Sequence, residues 1–311
     1  MTSPHHDAVV LKLKARLPLH QHHAFENRPL PELVFLAGRE ELLSFCADRW
    51  NGHIILKYHM DDIDRGECGL SRFDEAGLSL YPGMRLFDAG CGYGGLMVAG
   101  ARRGLEVHGV DLNPKLVAGA QARLRAWDLS GYPQVGNLLK LPYANEQFDL
   151  VTCQDVFDHL PAWEDTLREF KRVLKPGGAL WLTTATRFVC FRSDPHYQLW
   201  GVSMLPRTWA AWYLTYIRRR LQRPSDYGAC TFPTAYGLIR LLQRQGFRVI
   251  DGEDEWVRKV RDPGRIIHNE RARRWVTGLK RIGLGSALEG AMMIRAEFTH
   301  WFSIVAVKDD R

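Results

Sequence analysis

Leu86-Phe87-Asp88-Ala89-Gly90-Cys91-Gly92-Tyr93-Gly94-Gly95, with Val107-His108-Gly109-Val110-Asp111 close behind it, is the stretch that decides the fold. A short apolar run meets four glycines within six positions and then helix-spaced residues. That order reads as a strand turning sharply into a helix, because glycines let the backbone turn tightly and approach a ligand closely. Gly90, Gly92 and Gly95 satisfy the G-x-G-x-x-G spacing. Asp111 stands about twenty residues on, where a carboxylate can hold ribose hydroxyls. By itself the loop marks a nucleotide-like ligand without saying which.

Outward from this stretch, 84–186 alternates short apolar runs with helix-spaced ones, the signature of helices around a parallel sheet. The spacing predicts a helix over 96–103, a strand over 107–111, and a helix opening at Asn113-Pro114 and running to 125, with asparagine as cap and proline at the first helical position. Further strands are expected over 134–137, 148–153 and 179–184. Trp163, Leu167, Phe170 and Leu174 form one apolar helix face that ends before Pro176-Gly177-Gly178. After 186 the pattern breaks for longer than an ordinary α/β connection, which indicates an insertion. It resumes with Thr234 as cap of a helix carrying Leu238, Leu241 and Leu242, stopped by Gly246, then a strand over 247–250. A second, basic and amphipathic insertion precedes a last strand over 301–307. The expected organisation is an N-terminal helical arm and cap segment at 1–80, a core at 81–186, an inserted cap at 187–233, core again at 234–255, a helical insertion at 256–297 and a closing strand at 298–311.

Leu86 to Gly95 resembles the first motif of the class I methyltransferases, including the acid two residues before the first glycine. Val110-Asp111-Leu112-Asn113-Pro114 resembles the second. Gly136-Asn137-Leu138, Leu141-Pro142-Tyr143 and Phe148-Asp149-Leu150-Val151 resemble the third and fourth strands, and Leu174-Lys175-Pro176-Gly177-Gly178 the turn into the fifth. Four motifs in order are far more specific than a glycine loop. The resemblance implies a Rossmann-like, doubly wound α/β fold: seven strands, the last antiparallel, with a mainly helical cap from the insertions. It implies S-adenosylmethionine as cofactor, leaving S-adenosylhomocysteine. Contacts are implied for Asp88, Ala89, Gly90, Cys91 and Gly92 on the methionine side, and for Asp111 on the ribose hydroxyls with Leu112 beside it. Asn137 and Leu138 would meet the adenine, and Gln154 would line the methyl-donor site. Asn137 departs from the family, which often has aspartate there. An amide oxygen can still accept from the adenine amino group, and the bland alternative is a turn residue.

Methyl transfer to oxygen or to a protonated amine needs a proton acceptor, so Asp155, His159 and, within the first insertion, His196 are the candidate catalytic residues. Asp155, Asp158 and His159 follow the fourth strand, at the end where open α/β sheets bind ligands. Capping and solvent contact are their structural alternatives. Trp209, Trp212, Tyr213 and Tyr216 recur at helical spacing ahead of Arg218-Arg219-Arg220. This stripe reads as cap core, as a lid over an apolar substrate, or as an interfacial helix.

The 311 residues, 46% hydrophobic, suffice for a sizeable core. No apolar run is long enough to span a bilayer and the start lacks a secretory core, so a cytoplasmic protein is expected, with peripheral membrane contact open. Six scattered cysteines offer no zinc or redox spacing, and His5, His6, His20, His22 and His23 have no matching ligand set, so no metal is expected. The net charge of +7 is uneven: 207–281 holds 17 Lys/Arg against 7 Asp/Glu, +10, leaving −3 elsewhere. Such a segment suits an anionic partner or a solvated face, but without a base-reading motif nucleic acid is disfavoured. The leading expectation is a methyltransferase for a small-molecule metabolite or natural product. A lipid, prenyl or sulfur acceptor, a nicotinamide-dependent oxidoreductase and a non-catalytic S-adenosylmethionine binder are the rivals, and oligomeric state is left open.

Overall fold

The computed structural model describes residues 42, 46, 58–59, 62–187, 199, 201–219, 232–251, 270–287 and 301–309. His196 and the N-terminal histidines lie outside these residues. The sheet has seven strands in the order β3-β2-β1-β4-β5-β7-β6. Strand β1 (Arg85–Ala89) pairs parallel with β2 (Glu106–Asp111) and with β4 (Phe148–Gln154), and β2 pairs parallel with β3 (Tyr132–Val135). β6 (Phe247–Asp251) and β7 (Trp301–Lys308) pair antiparallel.

The chain forms two compact units. The first holds α1 (Asp62–Glu75), β1, α2 (Gly95–Arg102), β2, α3 (Pro114–Ala126), β3, β4 through Cys153, and the continuation of α4 (Trp163–Val173) into β5 (Leu174–Ala185) as far as Trp181. The crossover from β3 on one side of β1 to β4 on the other makes the switch point where such sheets open a ligand crevice. Asn113 caps α3 as its sequence predicts, Oδ1 accepting from the N–H groups of Lys115 (2.9 Å) and Leu116 (3.4 Å). Helix α1 lies close against α2 because Gly66 has no side chain: a Cβ there would stand 2.7 Å from Leu96 Cα.

The second unit carries Gln154–Leu167 and the chain from Leu182. Its elements are the end of β5, α5 (Arg207–Trp212) running into a π turn at Tyr213–Ile217, α6 (Ala235–Arg244), β6, α7 (Glu270–Arg281) and β7. Thr234 caps α6 through Gly237 N–H at 3.0 Å, and Gly246, at φ 80°, ends that turn. The described parts of both insertions are thus helical.

Two boundaries differ from the expectation. Strand β3 lies two residues earlier, at Tyr132–Val135, because Asn137 folds into a turn: its Oδ1 accepts from Leu139 N–H at 2.9 Å and its carbonyl from Lys140 N–H at 3.1 Å. Strand β5 starts at Leu174 instead of 179. Gly177, at φ 70°, lets the strand absorb the Pro-Gly-Gly turn as an irregular start.

Candidate active site

At the carboxyl end of β1 the backbone reverses through Gly90 (φ 77°), whose N–H donates to Val110 O at 2.8 Å; Cys91 N–H reaches the same carbonyl at 3.1 Å. Gly94, at φ 80°, has no room for a side chain, since a Cβ would lie 2.7 Å from that of Ala120. The loop is thereby fixed to β2 and α3, and it presents Gly92 N–H to Asp111. Asp111 Oδ2 accepts this hydrogen bond at 3.0 Å, while Oδ1 accepts from Asn113 N–H at 2.8 Å. Each oxygen keeps accepting capacity for a ligand hydroxyl. Burial raises the Asp111 pKa, only partly opposed by these two backbone bonds and the nearby His59.

Asp88 is registered opposite Thr152 of β4, and its Oδ1 accepts from Thr152 Oγ1 at 2.9 Å. It is buried, 3% exposed. Burial pushes its pKa up to about 7, against the Thr152 bond and with help from the negative Asp111 and Asp62. A carboxyl so placed gains from a cation. Ala89 and Cys91 are buried too. Burial, followed by the charges of Asp88 and Asp111, drives the Cys91 thiol well above its usual range, so it stays a neutral packing group. Leu112 is the opposite case, an apolar side chain 72% exposed beside a carboxylate. Leu138 is buried and Asn137 exposed. Asn137 Oδ1 already accepts one bond within the turn, which leaves its side chain one further accepting position and the NH₂ group as donor.

A cluster that the sequence reading missed lies beside this loop. Arg123, on α3 and fully buried, donates from Nη1 to Asp62 Oδ2 (2.8 Å), from Nη2 to Asp62 Oδ1 (2.9 Å), and from Nη1 to Tyr93 O (2.9 Å). His59 Nδ1 stands 3.5 Å from Asp62 Oδ2, and its Cε1 would be 3.4 Å from a Cβ at Gly92. Burial pulls the Asp62 pKa up, but Arg123 and His59 together outweigh it and the net shift is downward. Arg123 was legible in principle: Leu116, Ala120, Arg123 and Leu124 make one buried helix stripe, and a charge on such a stripe calls for a partner.

In the second unit Gln154 ends β4, and Asp155 follows in the left-handed region at φ 57°. Thr183 holds it twice: Asp155 N–H donates to Thr183 Oγ1 (3.0 Å), which donates to Asp155 Oδ1 (2.6 Å). Phe157–His159 forms one 3₁₀ turn, with Asp158 buried and the His159 side chain 44% exposed. His159 Nε2 lies 3.9 Å from Asp158 Oδ2. Asp155 is thus committed to Thr183, while His159 keeps access to solvent.

Residues 87–182 match the methyltransferase domain family. Within the chain, this segment is a methyltransferase domain. Among curated proteins it is 38% identical over 141 residues to a ubiquinone biosynthesis O-methyltransferase of Azoarcus sp. (strain BH72), covering 43% of this chain and 53% of that one. It is 38% identical over 115 residues to squalene methyltransferase 1 of Botryococcus braunii, 34% of this chain and 30% of that one. The chain therefore spans about half the length, or less, of these relatives. Phosphoethanolamine N-methyltransferase 2 of Haemonchus contortus, solved with S-adenosyl-L-methionine, has the same fold: TM-score 0.50 and 22% identity over 79% of this chain and 53% of that one.

The methyltransferase domain's loop fits that cofactor on its own chemistry. The ammonium group suits the buried Asp88, the ribose diol suits the spare accepting positions of Asp111, and the exposed Leu112 offers an apolar face to a purine. A dinucleotide fits poorly, since its pyrophosphate would meet Asp88 and Asp111, and the Asp111 charge already adds to the raised proton affinity of Asp88. The strand order, with β7 inserted antiparallel before β6, also differs from the 3-2-1-4-5-6 order of dinucleotide-binding sheets.

Proposed function

We propose that this protein transfers a methyl group from S-adenosylmethionine to the oxygen or nitrogen of a small-molecule acceptor. The observation that carries the proposal is the paired acidic cradle: Asp88, short of a cation, and Asp111, held open by the Gly92 and Asn113 N–H groups. When bound, the cofactor supplies a methyl group made electrophilic by its sulfonium. Asp88 holds the ammonium and Asp111 the two ribose hydroxyls. Leu112, Leu138 and the Asn137 amide would border the adenine, and the family resemblance would assign Gln154 to the donor side. Holding the nucleophile in line supplies most of the rate; well-oriented intramolecular reactions gain about 7–11 kcal/mol. His159 takes the acceptor's proton at Nε2, with the buried Asp158 carboxylate favouring the imidazolium that forms. Asp155 positions this turn through Thr183, and His196 is the reserve base. Acceptor choice belongs to the segments outside the core, 1–80, 187–233 and 256–297.

A lipid-like or prenyl acceptor is the second reading. It is supported by two relatives whose names place them on squalene and in ubiquinone biosynthesis. The experiment is calorimetry with S-adenosylmethionine, followed by detection of S-adenosylhomocysteine against polar and isoprenoid acceptors. Asp111→Ala removes two charge-assisted hydrogen bonds and should weaken cofactor binding by about a hundredfold or more. Wild-type affinity in that variant, or binding of a nicotinamide dinucleotide in place of S-adenosylmethionine, would overturn the proposal.

A further inference from the structure

The segment 204–217 turns its apolar side outward. Six of the fourteen large apolar side chains exposed among the described residues fall in this run: Met204, Leu205, Trp209 (68%), Trp212 (55%), Tyr216 (60%) and Ile217. Trp209, Trp212 and Tyr216 follow at helical spacing along α5 and its π turn, while Ala210, Ala211 and Leu214 on the other side are buried. The buried side already serves the core, so the aromatic side is left for something outside the chain. Arg207 opens the helical stretch, 208 to 217 holds no charged residue, and Arg218-Arg219-Arg220 follow it. Arg218 and Arg219 are exposed. The same unit repeats the combination on α7, where Trp275 is 73% exposed on a helix that also exposes Arg274, Lys280 and Arg281.

We propose that the aromatic stripe of α5 and its π turn, with the arginines that follow, docks this protein onto an anionic lipid surface. The residue types match that surface in kind and order. Trp and Tyr rings settle at headgroup level, where one edge is apolar and the other wet. Arginine at the helix end reaches the phosphates while its stem lies along the apolar layer. The excess of +10 over 207–281 draws an anionic surface and repels a second copy of the same segment. The helical stretch of eleven residues, at ~1.5 Å per residue, rises only about 16 Å against a hydrocarbon core of about 30 Å, so it lies on the layer. Among the described residues no helix is long and apolar enough to cross a membrane.

The test is co-sedimentation of the full chain with vesicles of phosphatidylglycerol and phosphatidylcholine in equal parts, and with phosphatidylcholine alone. Binding to the mixed vesicles should weaken with salt and exceed binding to phosphatidylcholine alone. Brominated acyl chains should quench part of the tryptophan emission. Trp209→Ser with Trp212→Ser should lose on the order of tenfold or more in partitioning. Arg218→Gln and Arg219→Gln should lose about fivefold each. Circular dichroism and S-adenosylmethionine affinity, unchanged in all three variants, would show that the fold and the cofactor loop are intact, and the vesicle result stands whether or not the proposed reaction is right. No partitioning, partitioning indifferent to these substitutions, or a dimer in light scattering that the tryptophan substitutions dissolve would overturn the proposal.

Discussion

Replacing Asp88 by asparagine separates the cost of burying a carboxyl from its use. Burial lifts the Asp88 pKa from the ordinary 3.8 to about 7, against the opposing Thr152 hydrogen bond. At ~1.4 kcal/mol per pH unit, that gap corresponds to on the order of 4 kcal/mol. Between pH 4 and pH 7 the folded, unliganded protein holds this proton while the unfolded chain has released it. Stability contributed at this site therefore falls as pH rises through that window and levels off above pH 7. Asp88→Asn removes the titration. Urea unfolding of the unliganded protein from pH 5 to pH 8 should show a shallower fall in the variant, which should end up the more stable protein at pH 8. Cofactor binding should go the other way. A cation prefers the ionised carboxyl, so wild-type affinity should rise by up to about tenfold per pH unit toward pH 7, and the variant should bind weakly with that dependence gone. A variant keeping the wild-type stability slope would refute the burial argument, and one keeping the wild-type affinity would refute the assignment of the ammonium to Asp88.

Three further outcomes are expected. Arg123→Met strands the buried Asp62 and should cost about 3–5 kcal/mol in denaturant unfolding, most of it regained in Asp62→Leu/Arg123→Met; because Asp62 titrates below its ordinary value, its stabilising share should be lost as pH falls below about 4. Gly94→Ala forces a side chain into a left-handed position 2.7 Å from Ala120 Cβ, so unfolding should register a loss of about 1–3 kcal/mol, and calorimetry a weaker cofactor complex. His159→Ala should retain cofactor affinity and lose about 10²–10⁴-fold in turnover with partial recovery at high pH; normal turnover would shift the reaction to positioning alone or to a sulfur or carbon acceptor.

Where local chemistry dictates structure, the sequence was legible to the residue. Asn113-Pro114 and Thr234 announce helix starts because each side chain satisfies N–H groups that a helix cannot, and both caps are present. The antiparallel β7 beside β6 follows from the family resemblance, not from any pattern in 301–307 itself. The displaced start of β5 shows the limit. Pro176-Gly177-Gly178 has the composition of a loop, and only strand pairing decides that a left-handed glycine is carried inside a strand.

The same division runs through the site. Asp88, the glycines and Asp111 stand in one local motif whose geometry the backbone sets, so spacing finds them. His59, Asp62 and Arg123 come from segments sixty residues apart, joined by the docking of α1 on α2 and α3, and no local spacing expresses that docking. Their effect nevertheless reaches the motif. The Asp62 charge adds to the raised Asp88 pKa, and His59 opposes the raised Asp111. The acidity of the cradle is therefore set partly by a helix that lies outside the motif. This is why an intact Gly90–Gly95 loop on a different N-terminal segment would bind the same cofactor with a different pH dependence.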